Sequence, residues 1–182
     1  MSTLLAGLLS LVGCAPVRPD LPRPAGEIRV AALEGRWTVL ESSFPMWLDG
    51  KKTDPAFEYK ALDGGEGKTL LDDRVTYLEK GKPGSIEGID TPDPEDPTHL
   101  VWRGKGILKL FTSHWYLVLG GASEGWAVIY FSSTIATPEG VDIIARGASL
   151  PVETLERIHA AIAAHPVLRE KAKGLRPVFV TR

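Results

Sequence analysis

Residues 37–146 repeat one pattern, in which short strand-forming runs are separated by turn-forming residues. In the run Phe57-Glu58-Tyr59-Lys60-Ala61, apolar and charged side chains alternate with the two-residue period of a strand. Segments 63–67 and 91–97 are rich in glycine or proline and interrupt the ladders. Such regular spacing predicts an antiparallel sandwich or barrel. The predicted strands are 37–44, 57–61, 75–78, 85–89, 99–103, 107–111, 115–119, 126–131 and 141–146.

Two of these strands, 126–131 and 141–145, are apolar on both faces apart from Asp142, so each must be covered on both sides. The segment that follows supplies a cover, because apolar residues recur there at helical spacing. These residues are Val152, Leu155, Ile158 and Ile162. We therefore expect a helix against the outer side of both strands. A shorter helix at 167–173 and a last strand at 175–180 follow.

Gly35-Arg36-Trp37 opens the first strand, and Arg146 ends the strand before the helix. With this order of elements, residues 27–182 resemble the lipocalin family, and 98–150 look most like its bacterial outer-membrane members. The resemblance implies an all-β fold with a C-terminal helix: an eight-stranded antiparallel up-and-down β-barrel with the helix packed outside. It also implies that Gly35, Trp37 and Arg146 close one end, with the Arg146 guanidinium stacked across the indole.

One loop departs from the family pattern. Many lipocalins carry Thr-Asp-Tyr before the strand at Trp126, where this chain has Ala122-Ser123-Glu124-Gly125. The subfamily and the ligand therefore do not follow from the resemblance.

The amino-terminal segment is uncharged and apolar, and it ends in Leu11-Val12-Gly13-Cys14. This resembles a bacterial lipobox, which implies a signal peptide at 1–13 and a lipid on Cys14. The run is too short to span a bilayer and has the length of a signal-peptide core. The usual positive charges before it are missing, and the alternative is a buried helix with a chance cysteine.

Four prolines within residues 15–26 forbid a helix and favour an extended tether. The predicted organisation is therefore a signal peptide at 1–13, a tether at 14–26 and a lipocalin domain at 27–182. By resemblance to enterobacterial lipoproteins, Ala15 rather than Asp after the cysteine favours the outer membrane, facing the periplasm.

Composition narrows the function. The 182 residues carry a net charge of −2, which suits one domain and gives no reason to expect nucleic-acid binding. A single cysteine allows no disulfide within the chain. The histidines and carboxylates do not have metal-ligand spacing, and Ser132-Ser133 lacks a nucleophile-elbow motif. We predict no metal, no cofactor and no enzymatic activity.

An eight-stranded barrel can hold one small ligand among mostly apolar side chains. Alternation places Phe57, Tyr59, Leu108 and Leu110 inward, and the resemblance adds five positions of later strands. If Arg146 faces the barrel axis, Asp142 and Ile144 do too. The predicted cavity residues are thus Phe57, Tyr59, Leu108, Leu110, His114, Tyr116, Val118, Ala127, Ile129, Asp142 and Ile144.

Two of these positions have alternatives. Asp142 meets solvent if its strand is out of phase by one residue, and both phases remain open. If it faces inward, a buried carboxylate needs a partner, for which Tyr116 or His114 is a candidate. His114 also suits a turn between two strands.

The predicted function is binding, storage or transport of a small hydrophobic molecule, such as a fatty acid or lysophospholipid, by a membrane-anchored lipocalin. One alternative is an enzyme that acts on a lipid or isoprenoid in the same cavity through Asp142 and a tyrosine. The other is a structural envelope lipoprotein whose barrel is filled by its own side chains.

Overall fold

The computed structural model describes residues 20–180, which fold around one closed antiparallel sheet. Each of the first seven strands pairs with the next, and β8 pairs with β1, which closes the barrel. This confirms the predicted up-and-down barrel. The strands are β1 (Gly35–Ser42), β2 (Lys52–Asp63), β3 (Thr69–Glu79), β4 (Lys82–Pro92), β5 (His99–Gly104), β6 (Thr112–Gly121), β7 (Trp126–Phe131) and β8 (Gly140–Ala145).

A ninth strand and three helices complete the chain. Strand β9 (Arg176–Pro177) pairs with the end of β1 at Glu41 and Ser42. Helix α1 follows β1, and α2 and α3 follow β8, with a proline in the first turn of α1 and of α3, where no amide donor is needed. The helices are α1 (Pro45–Leu48), α2 (Val152–Ala164) and α3 (Pro166–Lys171), and 3-10 turns occupy Val30–Leu33 and Gly106–Leu108.

Helix α2 packs on the outside of the barrel, as predicted. Ile158 and Ile162 are buried there, whereas Val152 at the start of the helix is exposed. Together with Leu168 of α3 they cover the outward side chains of β6, β7 and β8. These outward side chains are Tyr116, Val118, Val128, Tyr130, Val141 and Ile143.

A second apolar cluster fills the interior of the barrel. Its members alternate along each strand with those of the outer cluster, because successive side chains of a strand point to opposite faces. Strand β6 shows this directly, since Trp115 and Leu117 point inward. The interior side chains include Trp37, Val39, Phe57, Tyr59, Leu71, Val75, Leu100, Ala127, Ile129 and Ile144.

The strand predicted at 107–111 is wrong. Two turns occupy this segment: the Leu108 amide donates to the Lys105 carbonyl and the Phe111 amide to the Leu108 carbonyl, each at 2.9 Å. Strand β6 therefore begins only at Thr112. The alternation of apolar and charged residues in this short run belongs to an exposed hairpin connection, and Ile107 is 92% exposed.

The structure bears on only part of the amino-terminal predictions. The signal peptide at 1–13, Cys14 and the tether as far as residue 19 lie outside the described residues. Leu21, within the predicted tether, is buried in the outer cluster, and Arg23 pairs with Asp96 at 3.3 Å. The packed part of the chain thus reaches back beyond residue 27. Among residues 20–180, no helix has the length and apolar character needed to cross a bilayer.

Candidate ligand-binding site

One end of the barrel is sealed by Trp37 under Arg146. The guanidinium carbon of Arg146 lies 3.9 Å from the centre of the Trp37 ring system, which is the predicted stack. Trp37 is fully buried, and its indole N–H donates to the Leu33 carbonyl at 2.7 Å. Trp37 is therefore held in two ways: Arg146 stacks on its ring face, and a hydrogen bond holds its indole N–H.

Arg146 also ties together two chain segments that are far apart in sequence. Its Nη1 and Nη2 donate to the carbonyls of Glu34 at 2.6 Å and Ala32 at 2.9 Å. Gly35 makes this approach possible, since a Cβ there would lie 2.6 Å from Nη1. Gly35 also has a φ of +107°, which a residue with a side chain rarely adopts.

The other end of the barrel contains a cavity of about 300 Å³. Around its mouth lie α1, the β5–β6 connection and the β7–β8 connection, and its lining is mostly apolar. The lining residues are Phe44, Met46, Trp47, Phe57, Tyr59, Asp73, Val75, Ile86, Trp102, Leu108, Phe111, Thr112, Ser113, Trp115, Phe131, Thr134, Ala136, Thr137 and Asp142.

Aromatic rings form much of the cavity wall. Phe57 stacks on Phe131 with centroids 6.2 Å apart, and Phe44 meets Phe131 edge-on at 5.5 Å. Tyr59 stacks on Trp115 at 6.1 Å. Rings in these offset and edge-on geometries stabilise one another beyond their buried area, so the wall is a defined surface.

Three aspartates point into this apolar interior. Asp73 and Asp142 line the cavity, and Asp90 lies beside it on β4. Trp115 Nε1 donates to Asp90 Oδ1 at 2.8 Å, and Ser42 Oγ donates to Asp142 Oδ1 at 2.6 Å. Two oxygens, Asp73 Oδ1 and Asp90 Oδ2, are buried without a hydrogen-bond partner among residues 20–180. Such atoms are uncommon in folded proteins and call for a physical explanation.

Burial shifts the ionisation of all three acids upward. It raises the pKa of Asp142 to about 7, against the opposing hydrogen bond from Ser42. Burial likewise raises the pKa of Asp90 to about 7, although the Trp115 hydrogen bond lowers it. Burial, then the charge of Asp90, raises the pKa of Asp73 well above its usual range. Burial and these carboxylates also raise the pKa of Tyr59, which keeps the phenol neutral.

The structure divides the eleven predicted cavity residues into three groups. Phe57, Tyr59, Leu108 and Asp142 line the cavity. Ala127, Ile129 and Ile144 point into the barrel but belong to its packed core. The inward placement of the other four is wrong: Leu110, His114, Tyr116 and Val118.

The four errors have two causes. Leu110 is 85% exposed because its segment forms turns rather than a strand. The phase of β6 is shifted by one residue, so Tyr116 and Val118 lie on the outer face beneath the helix. His114 lies on that face too: its Nδ1 is 2.9 Å from Nε2 of His99, whose other ring nitrogen is 3.0 Å from Asp93. The suggested partners of Asp142, Tyr116 and His114, are therefore wrong, and Ser42 takes that place.

Sequence reasoning also missed two of the three acids. Asp73 has a usable signal, since Leu71 and Val75 lie two residues to either side on the same strand face. The adjacent Asp72 hides that signal, because it places a carboxylate on the other face as well. Asp90 directly precedes the proline-rich loop at 91–97, where the phase of the strand is hard to assign.

No protein-family model matches the sequence, and no curated protein matches it. Several solved structures, however, are similar to this chain in fold. Lobster apocrustacyanin A1 superposes with a TM-score of 0.60 at 17% identity, over 83% of this chain and 79% of that one. Insecticyanin from the tobacco hornworm Manduca sexta gives 0.65 at 14%, over 88% and 85%. Both are lipocalins. This chain has the lipocalin fold.

A third lipocalin structure is similar to this chain in fold. The siderocalin Ex-FABP, described as functioning through dual ligand specificities, gives a TM-score of 0.60 at 12% identity, over 83% of this chain and 95% of that one. At these identities the likeness concerns the fold. The lipocalin barrel described here therefore has to be assigned a ligand from its own cavity.

Proposed function

We propose that this protein binds a small hydrophobic molecule in its barrel and stores or carries it. The cavity supports this most directly, since it is apolar, walled by aromatic rings and open at one end of a barrel sealed at the other. Its volume of about 300 Å³ lies at the lower end of small-molecule sites. A small ligand is therefore favoured over a large one.

The cavity weighs against the two alternatives. A purely structural barrel filled by its own side chains has no reason to keep this space, because empty apolar volume costs stability. The enzymatic alternative needs a tyrosine beside Asp142. Tyr116 lies on the outer face, and Tyr59, which lines the cavity, stays a neutral phenol because burial raises its pKa. Ser42 instead holds Asp142 by a short hydrogen bond.

The cellular setting is a proposal that rests on sequence. Residues 11–14 and the prolines of 15–26 support a lipid anchor at Cys14 and attachment to the outer membrane, facing the periplasm. Labelling with radioactive palmitate tests this: the wild-type protein should incorporate label, and Cys14→Ser should not. A soluble wild-type protein without label would contradict the anchor.

Ligand binding is tested by titration with an environment-sensitive fluorescent naphthylamine. Wild-type protein should show saturable enhancement, and Ser113→Trp, which fills the cavity from β6, should lose it. Ser85→Trp is the matched control, because Ser85 is exposed on the outer face of β4. Equal binding by both variants would place the probe elsewhere and count against the cavity.

A further inference from the structure

Among the described residues, the charged side chains that line the cavity are all acidic, and its other polar side chains, such as Ser113 and Thr137, are neutral. Two of its lining residues are aspartates, and a third aspartate lies directly beside them. Within the described part of the chain, none of the lining residues is a lysine, arginine or histidine. A ligand that enters this space with an anionic head would meet carboxyl groups and no compensating cation, which is costly at low dielectric.

Asp73 is the group best placed to meet a ligand. It is 4% exposed and lines the cavity, and its Oδ1 finds no hydrogen-bond donor within residues 20–180. Asp142, in contrast, already accepts from Ser42. Asp90 accepts from Trp115 through Oδ1 and leaves Oδ2 without a partner among residues 20–180, but it lies beside the cavity and not in its lining. An unsatisfied acceptor at a cavity surface requires a donor from a ligand, or else its own protonation.

Aromatic rings surround Asp73 on the neighbouring strands. Tyr59 is its cross-strand partner on β2, and Gly88 is its partner on β4. The Trp102 indole lies over Gly88, so closely that no side chain could fit at that position. The positions on either side of Asp73 in the sheet are thus occupied by a phenol, from Tyr59, and an indole, from Trp102. A carboxylate among aromatic rings is an arrangement that recognises an ammonium group, through an ion pair and cation–π contacts.

We infer that the cavity takes a small hydrophobic amine, whose protonated amino group pairs with Asp73 while its apolar part lies against the aromatic wall. This inference rests on the proposed function and specifies the ligand class. It replaces the carboxylate head of a fatty acid by a cation, because the charged side chains that line the cavity within residues 20–180 are acids.

Proton linkage gives the inference a distinct signature. Burial raises the pKa of Asp73 well above its usual range and so favours the protonated form in the empty cavity, whereas an ammonium group stabilises the ionised form. Binding of an amine is therefore coupled to proton release, and amine affinity should rise with pH as long as Asp73 is protonated in the empty cavity. The charged or titratable groups that influence Asp73 are Asp90 from β4, Asp72 on its own strand, Lys105 from the β5–β6 connection and, across the ladder, Tyr59.

The test compares three probes with the same alkyl chain: octylamine, octanol and octanoate. Calorimetric titration near pH 8 should show octylamine binding about tenfold more tightly than octanol, with octanoate weakest. Titrations in buffers of different ionisation enthalpy should show proton release for the amine alone. Asp73→Asn should remove the preference for the amine and leave octanol binding unchanged. Asp63→Asn is the control, because Asp63 is exposed in the β2–β3 turn.

Each other outcome has a defined meaning. Equal binding of octylamine and octanol overturns the amine inference but leaves a hydrophobic carrier. Tightest binding of octanoate, with affinity that falls as pH rises, means that protonated acids donate to a carboxylate, and also overturns it. Failure of all three probes contradicts the proposed function itself. Should Asp73→Asn fail to fold, the pH dependence of the wild-type protein still decides between these outcomes.

Discussion

The two ends of the barrel treat their polar groups in opposite ways. At the sealed end, the Arg146 guanidinium meets an indole and two backbone carbonyls, and the Trp37 N–H meets a third. At the open end, the Asp73 carboxyl lies buried with an oxygen that no donor reaches in the described residues. One end is satisfied by the chain itself, whereas the other leaves an acceptor for something outside it.

This contrast separates stability from function. Satisfied hydrogen bonds contribute modestly to stability, and an unsatisfied buried acceptor costs more than a made bond gains. The polar groups of the open end therefore contribute less to the stability of the fold than those of the sealed end. Substitutions at the sealed end should weaken folding, and those at the open end should change ligand binding or the pH dependence of stability.

The largest expected effect is at the sealed end. Trp37→Ala should lower the free energy of unfolding by about 3–5 kcal/mol, because it removes a fully buried indole together with its stacking contact to Arg146. Urea denaturation followed by circular dichroism measures this. A loss below about 1 kcal/mol would mean that the stack does not hold this end closed.

The next effect belongs to the open end and depends on pH. The pKa of Asp142 is raised to about 7, so the folded state holds a proton that the unfolded state loses near pH 4. Stability should therefore fall as pH rises between these values. Asp142→Asn should reduce that fall by about 3 kcal/mol between roughly pH 5 and pH 8. Identical pH profiles of the two proteins would show that Asp142 is not buried as described.

A smaller effect is expected at Gly35. Gly35→Ala must adopt a φ of +107° and displace the Arg146 guanidinium, which together should cost about 1–2 kcal/mol. Thermal unfolding provides the measurement, with Gly50→Ala as control: Gly50 also has a positive φ, but nothing lies within 4 Å of its added Cβ. If both variants lost the same stability, backbone strain alone would explain the loss at Gly35, and contact with Arg146 would play no part.

The smallest effect tests the corrected hairpin. Leu110→Ser should change the free energy of unfolding by less than about 0.5 kcal/mol, since Leu110 is 85% exposed. Leu117→Ser, inside the barrel, is the contrasting variant and should cost several times more. A large loss for Leu110→Ser would restore the inward position that its sequence pattern suggested.

The two ends also differ in how far sequence predicts them. The sealed end depends on three residues, Gly35, Trp37 and Arg146. All three belong to the pattern that resembles the lipocalin family, so their roles could be assigned from sequence. The cavity depends on strand phase. Strand β6 reads Trp115-Tyr116-Leu117-Val118, which is apolar on both faces and offers no alternation to fix the phase.

Asp73 illustrates the other limit. Adjacent aspartates give both faces of β3 a carboxylate, and composition cannot say which one the barrel encloses. Register decides: pairing with Tyr59 places Asp73 inside, and Asp72 meets Lys105 outside at 2.6 Å. Long-range pairing of this kind is absent from any local window of sequence.

The contact between Arg146 and the Glu34 carbonyl spans 112 positions of the chain. During synthesis, β1 leaves the ribosome long before β8 has been made. The Trp37 indole therefore stays without the Arg146 guanidinium until the chain has reached the end of β8. Pairings this distant in sequence form slowly, because the loop must close before any contact rewards it. Until β8 pairs with β1, the barrel stays open, and Asp142, which β8 itself carries, cannot accept the Ser42 hydrogen bond.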